Sequence, residues 1–113
     1  MNSVETYEYE KFVDIMDRIH DADALSGEAI FPIVINDFDN TARAGNKGVV
    51  LNNSNPEKFE KHLSNAINSI SKSSSNEKII FVKSWNEWAE GNYFESDSKW
   101  GNGYLKIFKK SIL

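Results

Sequence analysis

Lys78 to Ser96 reads KIIFVKSWNEWAEGNYFES. Four apolar residues in a row, Ile79 to Val82, run into Trp85, Glu87, Trp88 and Glu90, and Gly91 follows. A short apolar run rich in β-branched residues and bounded by polar punctuation has the pattern of a strand buried on both faces, as in a parallel sheet covered by helices. Sheets of that kind keep their chemistry at the carboxyl ends of the strands, where this cluster of acids and aromatics falls.

Working outward, Asn55 and Pro56 supply an N-cap followed by proline at the first helical position. Phe59, Leu63, Ala66, Ile67 and Ile70 follow at spacings of three and four, so a helix is predicted over Pro56 to Ser71, with Lys61 and His62 on its outer face. The SKSSSNE segment then reads as a flexible turn into the central strand. Further upstream, AIFPIVI (Ala29 to Ile35) is a second apolar run, and its Pro32 belongs near the strand's start or at an edge. The loop after it, NDFDNTARAGNKG, carries Asp37, Asp39, Asn40, Arg43 and Lys47. It reads either as a solvated connection whose Asx side chains satisfy their own turns or as a second wall of a site, since it too follows a buried strand.

Tyr7 to Ile19 carries Tyr9, Phe12, Val13, Met16 and Ile19 at helical spacing, and Asp21 to Glu28 reads as a loop with His20 as a solvated cap. Val49 to Leu51 is a short apolar patch of undecided state. At the other end, Asp97 to Gly103 is a loop and Tyr104 to Ile112 a closing helix. The order is helix, strand, long loop, helix, strand, loop, helix. Strands alternating with helices imply parallel pairing through crossovers, yet two strands do not make a stable covered sheet. An eight-stranded barrel needs roughly 250 residues, so the expected fold is α/β, the C-terminal part of a (β/α)8 TIM-type barrel, with residues 1–113 forming one partial domain.

Composition narrows the chemistry. A net charge of −4 with only Arg18 and Arg43 as arginines argues against nucleic acid. With no cysteine, disulfides, thiolate metal sites and a cysteine nucleophile are excluded. No apolar run approaches the ~20 residues of a membrane span, and the polar start MNSVETYEYE is no secretory signal, so the expected compartment is the cytoplasm.

Glu87 and Glu90 lie three apart. On a helical turn that spacing brings side chains to roughly 5–6 Å between Cβ atoms, whereas a continuing strand would send them to opposite faces. Two carboxylates in one field can divide the tasks of holding and accepting a proton, the arrangement glycosyl chemistry uses. Trp85 and Trp88 offer flat apolar faces and Asn86 a donor and an acceptor for hydroxyls. The plain alternative is a pair of surface glutamates near tryptophans. Asp37 and Asp39 as oxygen ligands for a metal lack any accompanying His spacing, so neither metal nor other cofactor is expected. Ser84 has no nucleophile elbow, which disfavours acyl transfer.

The strings SWNEWAEGNYFE, FDNTARAGNKG, NPEKFEKHL and GNGYLK together resemble the C-terminal part of the WbsX-like glycosyltransferase family, related to glycoside hydrolase family 99. The resemblance runs from about Tyr7 onward. It departs at Phe38, where the family usually has tryptophan, and at Ser96, where it has proline. What it implies is a (β/α)8 barrel enzyme that transfers or hydrolyses glycosyl units, tied to bacterial surface polysaccharide such as O-antigen or lipopolysaccharide. By motif position Glu87 would take a proton from a sugar 2-hydroxyl, giving an anhydro-sugar intermediate, and Glu90 would serve as general acid and then base. Asp39, Asn40 and Arg43 match the family's D-N-T-x-R block and are expected to contact sugar or an anionic group; a loop braced by Arg43 against Asp37 or Asp39 is the structural alternative. The implied partners are a carbohydrate substrate or sugar donor and the N-terminal barrel portion absent from this sequence. The rival expectation is a truncated, non-catalytic carbohydrate-binding or scaffolding fragment.

Overall fold

A computed structural model describes residues 3–112 and, at Ala89, the backbone alone. The first two residues of the polar start lie outside the described residues. The architecture is mixed α/β, with parallel strand pairs alternating with helices. Strand β1 (Glu5–Glu8) leads into helix α1 (Tyr9–Leu25), strand β2 (Ile33–Ile35), the single-turn helix α2 (Thr41–Ala44) and strand β3 (Val49–Asn52). Helix α3 (Pro56–Lys72), strand β4 (Phe81–Lys83), the hairpin β5 (Asn86–Glu87) and β6 (Asn92–Tyr93), and helix α4 (Gly103–Ile112) complete the order. Among the described residues no helix is long and apolar enough to cross a membrane.

Helix α3 forms as its sequence dictates. Asn55 Oδ1 accepts the Lys58 amide at 2.8 Å, Pro56 occupies the first turn, and the face bearing Phe59, Leu63, Ala66 and Ile70 is buried. With Val34, Phe94 and Tyr104 that face makes the larger core, in which the Phe59 ring lies 5.1 Å from Phe94 and 5.7 Å from Tyr104. Full burial of such side chains stabilises by about 1.5–3 kcal/mol each. A second core, Tyr9, Val13, Ile35 and Leu51, fastens α1 to β2 and β3.

Three expectations are corrected and one open reading is decided. His62 is buried, not on the outer face of α3, because Asp17 on α1 compensates it at 2.7 Å. Helix α1 runs on through Asp21–Ala24 to Leu25, since nothing before Gly27 breaks it, and His20 sits within the helix. The undecided Val49–Leu51 patch is strand β3, paired in parallel with β1 over Glu5↔Val49 to Glu8↔Asn52. Finally, β2 and β4 pair in parallel but are not covered on both faces: Ile33 and Phe81, direct partners in register, are 47% and 56% exposed. Helix α3 covers the Val34 side, and on the opposite side α1 packs at Ile35 through Tyr9 and Val13 but leaves Ile33 and Phe81 open.

The edge of β2 is half closed. The Phe81 amide donates to the Pro32 carbonyl at 2.8 Å, so in a parallel ladder Pro32 and Val34 turn their peptide groups toward β4 while Ile33 and Ile35 turn theirs away. At Ile35 both groups are taken by side chains. Its amide donates to His62 Nε2 at 3.2 Å and its carbonyl accepts the Tyr9 hydroxyl at 2.6 Å.

Candidate functional site

The site sits at the carboxyl ends of β2 and β4. After β4 the chain forms the β5–β6 hairpin, whose connection is a 3₁₀ turn, Trp88–Glu90, closed by Gly91 in the left-handed conformation at φ 54°. Glycine is required there twice over: a Cβ would strain the backbone and would stand 3.2 Å from the Asp39 backbone and Cβ. Glu87 ends β5 and Glu90 ends the turn, so the three-residue spacing is realised across a tight turn.

The hairpin is bolted to the loop after β2 by one buried amide. Asn92 is fully buried, and its Nδ2 donates to the carbonyls of Lys83 at 2.6 Å and Asp37 at 2.8 Å. Asn36 returns a bond to the Tyr93 carbonyl, and the Asp39 amide donates to the Glu90 carbonyl at 2.7 Å. Strand end, loop and turn are thereby fixed to one another before any ligand is considered.

The two carboxylates converge on one guanidinium. Arg43 Nη2 lies 3.7 Å from Glu87 Oε1 and Arg43 Nη1 3.9 Å from Glu90 Oε1, while Lys83 Nζ stands 3.1 Å from Glu90 Oε2. All four groups are partly open to solvent, so the pairs contribute little to stability, about 0–1 kcal/mol each. Their long Arg43 contacts leave that side chain able to turn toward an incoming group.

The remaining expected residues divide in two. Trp88, exposed on β5's continuation, stacks on Tyr93, and Trp85 and Asn86 are exposed beside it. Asp39 and Asn40 serve the loop. Asp39 Oδ1 accepts the Thr41 amide at 3.0 Å and hydroxyl at 2.6 Å, and Asn40 Oδ1 accepts the Val49 amide at 2.6 Å. Arg43 braces neither Asp37 nor Asp39 but reaches across to the glutamates. Asp37 is partly buried, which raises its carboxyl above the ordinary range against the pull of bonds from Ser54 and the Phe38 amide and of the Lys99 charge. Lys83, Asn92, Asn36 and Tyr93 were not legible as site residues. A lone lysine ending a strand and two asparagines in a polar run carry no spacing signal; only the fold brings them together. Among the described residues no group of three or more His, Cys, Asp or Glu could hold a metal ion.

A family sequence model described as Glycosyltransferase WbsX matches residues 1–108. Two curated relatives, each described as "Uncharacterized protein WxcX" and coming from two strains of Xanthomonas campestris pv. campestris, are 26% identical over 89 residues. The match covers 78% of this chain and only 13% of each relative, so the chain spans a small part of their length. No solved structure matches.

Proposed function

The chain belongs to the WbsX glycosyltransferase family, and from that premise we propose that it is the closing segment of a (β/α)8 barrel that makes or breaks glycosidic bonds, with residues 1–113 a partial domain. The observation that carries this is the convergence of Glu87 and Glu90 on Arg43 at the carboxyl ends of two parallel strands. That end of a parallel α/β sheet is where catalytic groups gather. In this reading Glu87 removes the proton from a sugar 2-hydroxyl as that oxygen bonds to C1, and Glu90 gives its proton to the departing glycosidic oxygen as the C1–O bond breaks. Glu90, now a carboxylate, then takes a proton from the water or acceptor hydroxyl whose oxygen bonds to C1; the C1–O2 bond of the anhydro ring breaks as it does so, and Glu87 returns its proton to O2. Trp85, Asn86 and Trp88 shape the sugar pocket, Arg43 and Lys83 hold the carboxylates in place, and Asp39 and Asn40 act by fixing the loop that carries Arg43. Assembly of a bacterial surface polysaccharide is the setting we infer for the substrate.

The test is Glu87→Gln and Glu90→Gln in the complete barrel polypeptide, with product analysis after incubation with oligosaccharides and with activated sugar donors. Loss of turnover in both variants with folding retained is expected; turnover retained in both refutes the assignment. Product from oligosaccharides alone marks a hydrolase, and product from a donor marks a transferase.

A second reading, a non-catalytic carbohydrate-binding or scaffolding fragment, is favoured by the exposed Ile33 and Phe81. A barrel strand added at the open edge of β2, beside Ile33, and further strands across the sheet would cover this face. Aggregation of the isolated chain that the remainder of the barrel does not cure supports this truncated-fragment reading, its cure by that remainder supports the partial barrel, and a compact monomer with cooperative melting speaks against both.

A further inference from the structure

Trp88 belongs to neither apolar core, yet it is held like a core residue. Its indole lies on the Tyr93 ring with centroids 3.6 Å apart and planes within 17°. The indole Nε1–H donates to Glu95 Oε1 at 2.9 Å, and the Tyr93 hydroxyl donates to Asp97 Oδ2 at 2.8 Å. Both rings are thus pinned at their polar tips as well as pressed face to face. Trp88 is nonetheless 50% exposed, and with Tyr93 against one face, that exposure belongs to the opposite face and the rim.

An indole ordered from behind and open in front adds little to folding, because half its apolar surface stays in water. It suits binding well, since a ring already immobilised loses little further freedom when a flat apolar surface settles on it. The saccharide surface of that kind is a pyranose face made mostly of C–H bonds. We propose that the outward face of Trp88 is a one-sided stacking subsite for a single pyranose unit next to the one held by the glutamates, with Tyr93, Glu95 and Asp97 as its positioning residues. The inference rests on the reading of this chain as one that acts on saccharides. Trp88 stands between Glu87 and Glu90 in the 3₁₀ turn and hairpin that carry both glutamates, which is the ground for assigning its unit to the neighbour of the reacting sugar. Burial, helped by Asp97, pushes the Tyr93 hydroxyl up to about 12, so it remains a donor throughout the neutral range.

The experiment follows the tryptophan indole N–H signals of the complete barrel polypeptide by proton–nitrogen NMR, with that of Trp88 identified by its loss in Trp88→Phe. Cellotetraose, maltotetraose and mannotetraose are the probes. At least one is expected to shift the Trp88 signal saturably. Tyr93→Phe, which keeps the stacked ring and loses only the bond to Asp97, should bind about twofold more weakly, Tyr93→Leu about three- to tenfold more weakly, and Glu95→Ala, which lies outside both cores, about two- to threefold more weakly. No Trp88 shift with any probe, or undiminished binding in both Tyr93→Leu and Glu95→Ala, overturns the subsite. A Trp88 shift in a protein whose turnover ignores Glu87 and Glu90 sinks the catalytic reading and leaves the subsite standing; turnover that needs both glutamates without any Trp88 shift does the reverse.

Discussion

The His62 imidazole meets the Asp17 carboxylate at 2.7 Å in the seam between α1 and α3, and its other nitrogen accepts the Ile35 amide. Nδ1 therefore carries the hydrogen. Asn65 Nδ2 reaches the second Asp17 oxygen at 2.9 Å, so three elements are locked through one ring. His62→Leu leaves a buried carboxylate short of a donor and the Ile35 amide without an acceptor, and is expected to cost about 2–5 kcal/mol. Asp17→Asn keeps an acceptor for the ring and should cost about 1–2 kcal/mol. Urea denaturation of the two variants checks both values; equal costs would show that the ring's charge-assisted partner does not matter.

Asp37 predicts a pH dependence. Its carboxyl is raised by burial above the ordinary 3.8, so the folded state holds the proton more tightly than the unfolded chain does. Stability from this group is complete below the ordinary carboxylate value and is lost as pH rises through the elevated folded one. Asp37→Asn, which keeps an oxygen for the Phe38 amide, should raise the denaturation midpoint near pH 7 and leave it unchanged near pH 3. An equal gain at both pH values would refute burial of the charge as the cause.

What the sequence disclosed was local. Asn55 and Pro56 announce α3, and its apolar spacing announces the face that Phe59 and Leu63 bury, because caps and periodicity act within a few turns. The glutamate spacing likewise survived, since the turn that gathers Glu87 and Glu90 is built by the residues between them and by Gly91. Strand β1, whose Tyr7 and Glu8 the periodicity assigns to the helix, and β3, an apolar patch of undecided state in the sequence, were missed for the opposite reason. ETYE exposes every side chain and shows no alternation, and its pairing with Val49–Asn52 spans some forty residues. His62 was misplaced because a polar residue on a helix is buried only when a partner from elsewhere compensates it, and Asp17 is on another helix. Lys83 and Asn92 acquire their roles from the crossing of two strand ends, which no spacing records.

Gly91→Ala tests the hairpin geometry. A side chain at φ 54° costs about 1 kcal/mol, and its Cβ would stand 3.2 Å from Asp39 atoms of the backbone, which cannot swing aside. A loss of about 1–3 kcal/mol is expected, together with weakening of the bond between the Asp39 amide and the Glu90 carbonyl. Hydrogen exchange at the Asp39 amide reads the second effect directly, and unchanged protection there would show that the turn accommodates a Cβ.

Arg43→Met separates folding from function. The guanidinium is 3.7 and 3.9 Å from the two carboxylates and largely open to solvent, so its removal should change stability by less than about 0.5 kcal/mol. Turnover of the complete barrel polypeptide should fall by about 10²-fold, because the two glutamates lose the group that holds them together. Loss of stability with activity retained would make Arg43 a brace and remove it from the site.

Ile33 and Phe81 supply the last prediction. They are direct partners in the β2–β4 register and both present apolar side chains to solvent. Such a face is a liability in an isolated chain and a contact surface in a closed barrel. In the double variant Ile33→Asp, Phe81→Lys the opposite charges face each other across the strands, an arrangement that favours the pair by about 0.2–1 kcal/mol. The isolated variant should therefore stay folded and elute as a monomer where the parent associates, as size-exclusion chromatography with light scattering will show. Co-expressed with the preceding barrel segment, the parent should co-purify and the variant should not, since a charged pair buried in a barrel interior costs several kcal/mol. Co-purification undiminished in the variant would refute this face as the contact surface of the proposed barrel.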